Sequence, residues 1–168
     1  GHCWGGRVSW VGAGSNPRYK ACAVFYGGRV KLVMGEGNPS AIDLAANITC
    51  PVMGFFGNED QNPSPEDVDD YAEALSKAGV ETTFHRYDGA GHAFQSFNSE
   101  EHYRHTASED AGKGAEFLCG KVKVTGSARY NKSVQSPGTS CSASQARPSQ
   151  IAGGTLTNGS VREKIQTP

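Results

Sequence analysis

Residues 51–89 read PVMGFFGNEDQNPSPEDVDDYAEALSKAGVETTFHRYDG, and this stretch decides the fold. Pro51 to Phe56 is a short, continuously apolar run closed by Gly57. Runs that are apolar on both faces suit a parallel sheet covered by helices on each side. A helix follows with every local signal in place. Ser64 is a good N-cap, Pro65 fits the first helical position, and Glu66 and Asp67 suit the first turn. Val68, Tyr71, Ala72, Leu75 and Ala78 then recur at helical spacing, and Gly79 supplies the stop. Val80 to Tyr87 is rich in β-branched and aromatic residues and ends at Asp88-Gly89, which predicts a second strand. Strand, helix and strand in this order make a βαβ unit, whose strands run parallel through a right-handed crossover.

Working outward, Ala21 to Tyr26 (ACAVFY) is another apolar run, ended by Gly27-Gly28, and adds a third parallel strand. A final helix is expected over roughly Ser99 to Leu118, turning Tyr103, Ala107, Ala111 and Phe117 towards the sheet. Gly112 and Gly114 weaken its second half by up to about 1 kcal/mol each. Beyond Cys119 the composition changes to Ser, Gly, Thr, Gln, Asn and Pro with scattered apolar residues, which cannot offset the entropy of ordering. The expected organisation is therefore an α/β domain over residues 1–119 and a disordered, low-complexity tail over 120–168.

Bulk composition excludes several classes. The chain of 168 residues carries 16 basic and 17 acidic residues, so no charge footprint points to nucleic acid or an anionic membrane. The apolar runs are strand-sized, well short of the roughly 20 residues a membrane span requires. The cysteines, at 3, 22, 50, 119 and 141, form no CxxC pair. A zinc ribbon or thioredoxin-like site is not indicated, and no metal or cofactor is expected. Cys22 and Cys50 read as small buried hydrophobes. The setting is read as reducing and cytoplasmic. The sequons at Asn47, Asn131 and Asn158 carry no weight without secretion. The oligomeric state is not indicated.

Gly1-His2-Cys3-Trp4-Gly5 matches the nucleophile elbow G-x-[SC]-x-G, a tight strand-to-helix turn in strained backbone. Glycines flank the nucleophile because a Cβ there would meet the neighbouring strand or helix. A helix including Val8 to Ala13 would start beneath Cys3, and its N-terminus would favour thiolate. The Trp4 backbone N–H would be one oxyanion donor. α/β-Hydrolase triads run nucleophile, acid, base along the chain. Asp60, in Gly57-Asn58-Glu59-Asp60, and His92, in Gly89-Ala90-Gly91-His92, each follow a strand end, where open α/β sheets place their sites. Glu59 is a rival for the acid. His2, Trp4 and Tyr26 are candidate pocket residues, although each can equally be packing. His85 reads as structural, and His102 and His105 as helix-surface residues.

GHCWGG, AVFYGG, CPVMGFFGNED and YDGAGHAF, in this order and spacing, resemble the dienelactone hydrolase family, as does SEEHYRHTASEDA at its final helix. The resemblance covers residues 1 to about 118 and implies an α/β-hydrolase fold with a cysteine nucleophile acting on a small-molecule ester or lactone. It assigns Cys3 as nucleophile, Asp60 as the acid that orients the base, and His92 as base. The chain departs from the family twice. In dienelactone hydrolase an Arg shortly after the catalytic His helps bind the substrate carboxylate, whereas Gln95 and Ser96 stand here. The chain also begins at the elbow, so it reads as the C-terminal half of a hydrolase, with the strand that presents Cys3 missing. The alternative is an inactive partial gene product or an interaction module with a disordered tail.

Overall fold

A computed structural model describes residues 1–122. Three strands, β1 (Cys22–Phe25), β2 (Val52–Gly57) and β3 (Thr82–Tyr87), form a parallel sheet in the order β1-β2-β3. Helix α1 (Trp4–Ser15) precedes β1, α2 (Pro65–Lys77) joins β2 to β3, and α3 (His105–Lys121) follows β3. A short 3-10 turn spans Asp43–Asn47. In register, Cys22 faces Val52 and Val52 faces Thr82, so the C-terminal ends of the strands line up on one side.

The central strand is buried at all six positions, as its apolar run predicts. Its alternation feeds two cores. Val52 and Phe56 join Trp10, Val24, Val68, Tyr71 and Leu75 on one face. Met53 and Phe55 join Phe25, Phe94, Ala107, Ala111 and Leu118 on the other. Trp10, fully buried, anchors α1 through rings at 4.2 Å (Tyr71), 6.0 Å (Phe84) and 6.4 Å (Phe56). Cys22 and Cys50 are buried, as expected.

Helix α2 forms as read: Ser64 caps it and Asp67 completes a capping box with the Ser64 backbone. Two expectations are corrected. The last helix begins at His105, six residues later than expected. Residues 99–104 are instead drawn into turns, with the N–H groups of His102 and Tyr103 on Ser99 O and that of Arg104 on Phe94 O. Its buried face is Ala107, Ala111, Ala115 and Leu118. Phe117 is 59% exposed and Tyr103 lies before the helix. Gly114, read as a weak point, permits a close approach, because a Cβ there would lie 2.7 Å from the Phe55 ring. α3 also runs through the expected boundary at 119/120. Beyond Val122 the expected tail lies outside the described residues.

The second correction concerns the residues before Cys3. Gly1 to Cys3 pair with β1: His2 bridges Phe25 in parallel, Phe25 N–H donates to Gly1 O at 2.9 Å, and Cys3 N–H donates to Phe25 O at 3.0 Å. The elbow therefore has a strand-like entry held to the sheet.

Candidate active site

Cys3 sits between that short pairing and α1, at φ 51° and ψ −119°. Strained backbone of this kind costs roughly 1–3 kcal/mol and persists only where its surroundings enforce it. Here the enforcement is visible. Cys3 N–H is tied to Phe25, and α1 crosses the end of β1 so closely that a Cβ on Gly6 would lie 2.7 Å from the Gly27 Cα. Gly5, the second glycine of the elbow pattern, meets nothing within 4 Å. The close approach therefore falls one residue later than the pattern suggests. Tyr26 (φ 40°) and Ala93 (φ 59°) are also left-handed and also border the site.

Asp60, beyond β2, is 2% exposed. Its Oδ1 accepts the Asn62 N–H at 2.8 Å, and its Oδ2 lies 2.8 Å from His92 Nδ1. His92 Nε2 in turn lies 3.1 Å from Cys3 Sγ. The rival Glu59 is exposed and has no bond to His92. The Asp60 carboxylate, and after it Cys3, push the His92 pKa up to about 9 against the opposing effect of burial. The structure thus brings Cys3, His92 and Asp60 into one hydrogen-bonded row with an exposed sulfur, a half-exposed ring and a buried carboxylate.

The other candidates surround this row. The Tyr26 ring meets His92 edge-on at 5.2 Å, and burial first, then Cys3, pushes its phenol up to about 12, so it stays neutral at ordinary pH. His2 stacks on Phe25 at 4.2 Å, and burial holds its pKa low. Trp4 opens α1, whose first N–H groups have no partner within the helix, while its side chain is 52% exposed. His85 stacks on Phe55 at 5.1 Å, on the far side of the sheet from α1. His102 and His105 are exposed. Among the described residues no group of three or more His, Cys, Asp or Glu side chains is placed to hold a metal ion. No described helix is long and apolar enough to cross a membrane.

A groove of about 380 Å³ lies elsewhere, between β3 and α3, lined in part by Met53, Thr83, His85, Asp110 and Phe117. It contains none of the three residues in the row.

Two contributors were missed by sequence reasoning. Arg7 is 4% exposed and donates from Nη2 to Leu32 O at 2.6 Å and from Nη1 to Arg29 O. Gln95, read only as the place of an absent clamp, bonds His2 across the site at 2.9 Å. Neither contact has a local signal, since the partners are 22 to 93 residues apart in the chain.

The model of the dienelactone hydrolase family matches residues 1–117. A protein of Methylorubrum extorquens, provisionally named a carboxymethylenebutenolidase, is 35% identical over 113 residues, covering 67% of this chain and 38% of that protein. One of Salmonella typhimurium with the same provisional name is 35% identical over 94 residues, covering 56% and 35%. This chain thus spans little more than a third of the length of these relatives. A crystal structure of a provisionally assigned dienelactone hydrolase from Klebsiella pneumoniae superposes with a TM-score of 0.67 at 28% identity, over 73% of this chain and 50% of that one. A dienelactone hydrolase-like promiscuous phosphotriesterase from metagenomic libraries, 19% identical with a TM-score of 0.57, shares the fold. The sequence match and the α/β architecture agree, and the chain belongs to the dienelactone hydrolase family.

Proposed function

We propose that the protein hydrolyses an ester or lactone bond of a small molecule, with Cys3 as nucleophile, His92 as base and acid, and Asp60 as the group that orients His92. The observation that carries this reading is the row itself: Sγ to Nε2 at 3.1 Å and Nδ1 to Oδ2 at 2.8 Å, between the elbow before α1 and the loops that follow β2 and β3. Such distances are those nucleophilic catalysis requires.

Asp60 accepts from Nδ1–H, which leaves Nε2 to exchange a proton with sulfur. The imidazole is favoured in its charged form, so His92 takes the thiol proton before attack and returns it to the departing alkoxide. The sulfur–carbon bond forms as the carbonyl π pair moves to oxygen, and collapse of this tetrahedral intermediate then breaks the ester C–O bond, giving a thioester. Water then attacks the thioester, loses its proton to His92 and expels the Cys3 sulfur. The Trp4 N–H would meet the oxyanion of each tetrahedral intermediate. An exposed, activated sulfur is open to oxidation, so the reading includes a reducing, cytoplasmic setting.

The test uses the full chain with p-nitrophenyl acetate and, separately, iodoacetamide. Release of p-nitrophenol should vanish in Cys3→Ala and fall on the order of 1,000-fold or more in His92→Gln. Turnover that survives Cys3→Ala overturns the reading. So does a chain that releases no product and whose Cys3 reacts with iodoacetamide no faster than a peptide thiol.

A further inference from the structure

His2 Nε2 lies 2.9 Å from Gln95 Oε1, and an amide oxygen can only accept, so the ring donates. The same amide's Nε2 donates to Ser108 O on α3 at 3.3 Å. Ser108 Oγ and the Arg104 N–H both return to Phe94 O, at 2.8 and 2.9 Å. The loop that carries His92 is thus anchored to α3 on one side and to the elbow on the other.

The placement of this bond matters because of the backbone around it. His2 precedes Cys3, whose φ is 51°, and Gln95 follows Ala93, whose φ is 59°. Two strained turns, one presenting the nucleophile and one following the base, are joined by one hydrogen bond between side chains 93 residues apart. Besides this bond, the Cys3–His92 contact also links the two turns, and it is exposed. The His2 ring is fixed independently by stacking on Phe25 at 4.2 Å, and Gln95 is held at both ends.

We propose that His2 and Gln95 are positioning residues whose hydrogen bond staples the elbow to the His92 loop and keeps Cys3 Sγ within reach of the His92 ring. The rate part of this proposal rests on the hydrolase reading above, and the titration part does not. The groups facing the His92 ring are Asp60, Cys3 and Tyr26. Loss of the staple withdraws Cys3 and leaves Asp60 in place.

The experiment compares the full chain with Gln95→Leu, His2→Phe, which keeps the stacking but loses the donor, their double variant, and His2→Gln, which restores a donor. Each single loss should lower kcat on p-nitrophenyl acetate about 10- to 100-fold with KM nearly unchanged, as small misplacements of reacting groups do. Each should also move the His92 midpoint, followed by NMR of the ring protons, downward from about 9. The double variant should fall no further than either single one, because both remove the same bond, and His2→Gln should recover part of both readouts. Additive losses, or a His2→Phe chain with wild-type midpoint and kcat, overturn the proposal. If Gln95→Leu fails to fold, the two His2 variants decide. If turnover survives Cys3→Ala, the hydrolase reading fails while the midpoints still judge the staple.

Discussion

Helices α1 and α2 are of nearly equal length, 12 and 13 residues, and are built on opposite principles. α2 obeys every local rule: a Ser64 cap, Pro65 at the start, acids in the first turn and Lys77 in the last. α1 obeys almost none. Its N-cap is Cys3 in left-handed backbone without a side-chain cap, and no acid begins it and no base ends it. Its sequence WGGRVSWVGAGS is rich in glycine, which disfavours a helix by about 1 kcal/mol per residue relative to alanine. α2 connects two strands, and α1 carries the candidate nucleophile. The contrast teaches that a helix can be held by its neighbours instead of by its own sequence, and that such a helix leaves its N-terminus free to present chemistry.

If packing holds α1, its largest anchor should dominate. Trp10→Ala should destabilise the chain by about 3–5 kcal/mol in denaturant unfolding. A loss below 1 kcal/mol would break the comparison. Next in size is the crossing with β1. Gly6→Ala brings a Cβ 2.7 Å from the Gly27 backbone, which neither element can readily yield, and should cost about 1–3 kcal/mol. Gly5→Ala, one residue earlier and facing open space, should stabilise by roughly 0.5–1 kcal/mol through helix propensity. Equal effects at the two glycines would refute the crossing as the cause. On α2, where local chemistry is expected to count, Ser64→Ala should cost about 1 kcal/mol.

The smallest expected effect depends on pH. The folded chain raises His92 to about 9, above the unfolded value of 6.5, so the protonated ring stabilises the fold. That contribution is complete below about pH 6.5 and disappears as pH rises through about 9. The ring is partly exposed, so the size is modest. Unfolding free energies of wild type and His92→Gln should therefore converge between those limits, while the Ser64→Ala difference stays constant. Divergence with rising pH would reverse the assigned sign.

Legibility followed the same division. β2, α2 and β3 were readable because apolar runs, caps and turn residues act within a few positions of the chain. Cys3, Asp60 and His92 were legible as candidates because an elbow pattern and two strand ends carry them in the order an α/β hydrolase uses, although the sequence also offered Glu59 for the acid place. The two differ in burial and in contacts: Asp60 is enclosed and bonded to His92, whereas Glu59 faces solvent. The start of α3 was misjudged because residues 99–104 are compatible with helix locally, and only the bond from Arg104 N–H to Phe94 O draws them away. The pairing of Gly1 to Cys3 with β1 was invisible because three residues carry no strand pattern. His2 with Gln95 and Arg7 with Leu32 are side-chain contacts across the fold, which no local pattern records.

Arg7 has a consequence for motion. Its guanidinium is buried on the first turns of α1 and meets the carbonyls of Arg29 and Leu32, with no carboxylate within ion-pair distance among the described residues. Those carbonyls serve as its hydration shell. Lifting residues 29–32 away would strip a charge of its solvation unless water entered beneath the helix at the same moment. The segment and the start of α1 should therefore open together, with matched amide-exchange rates, as one cooperative unit.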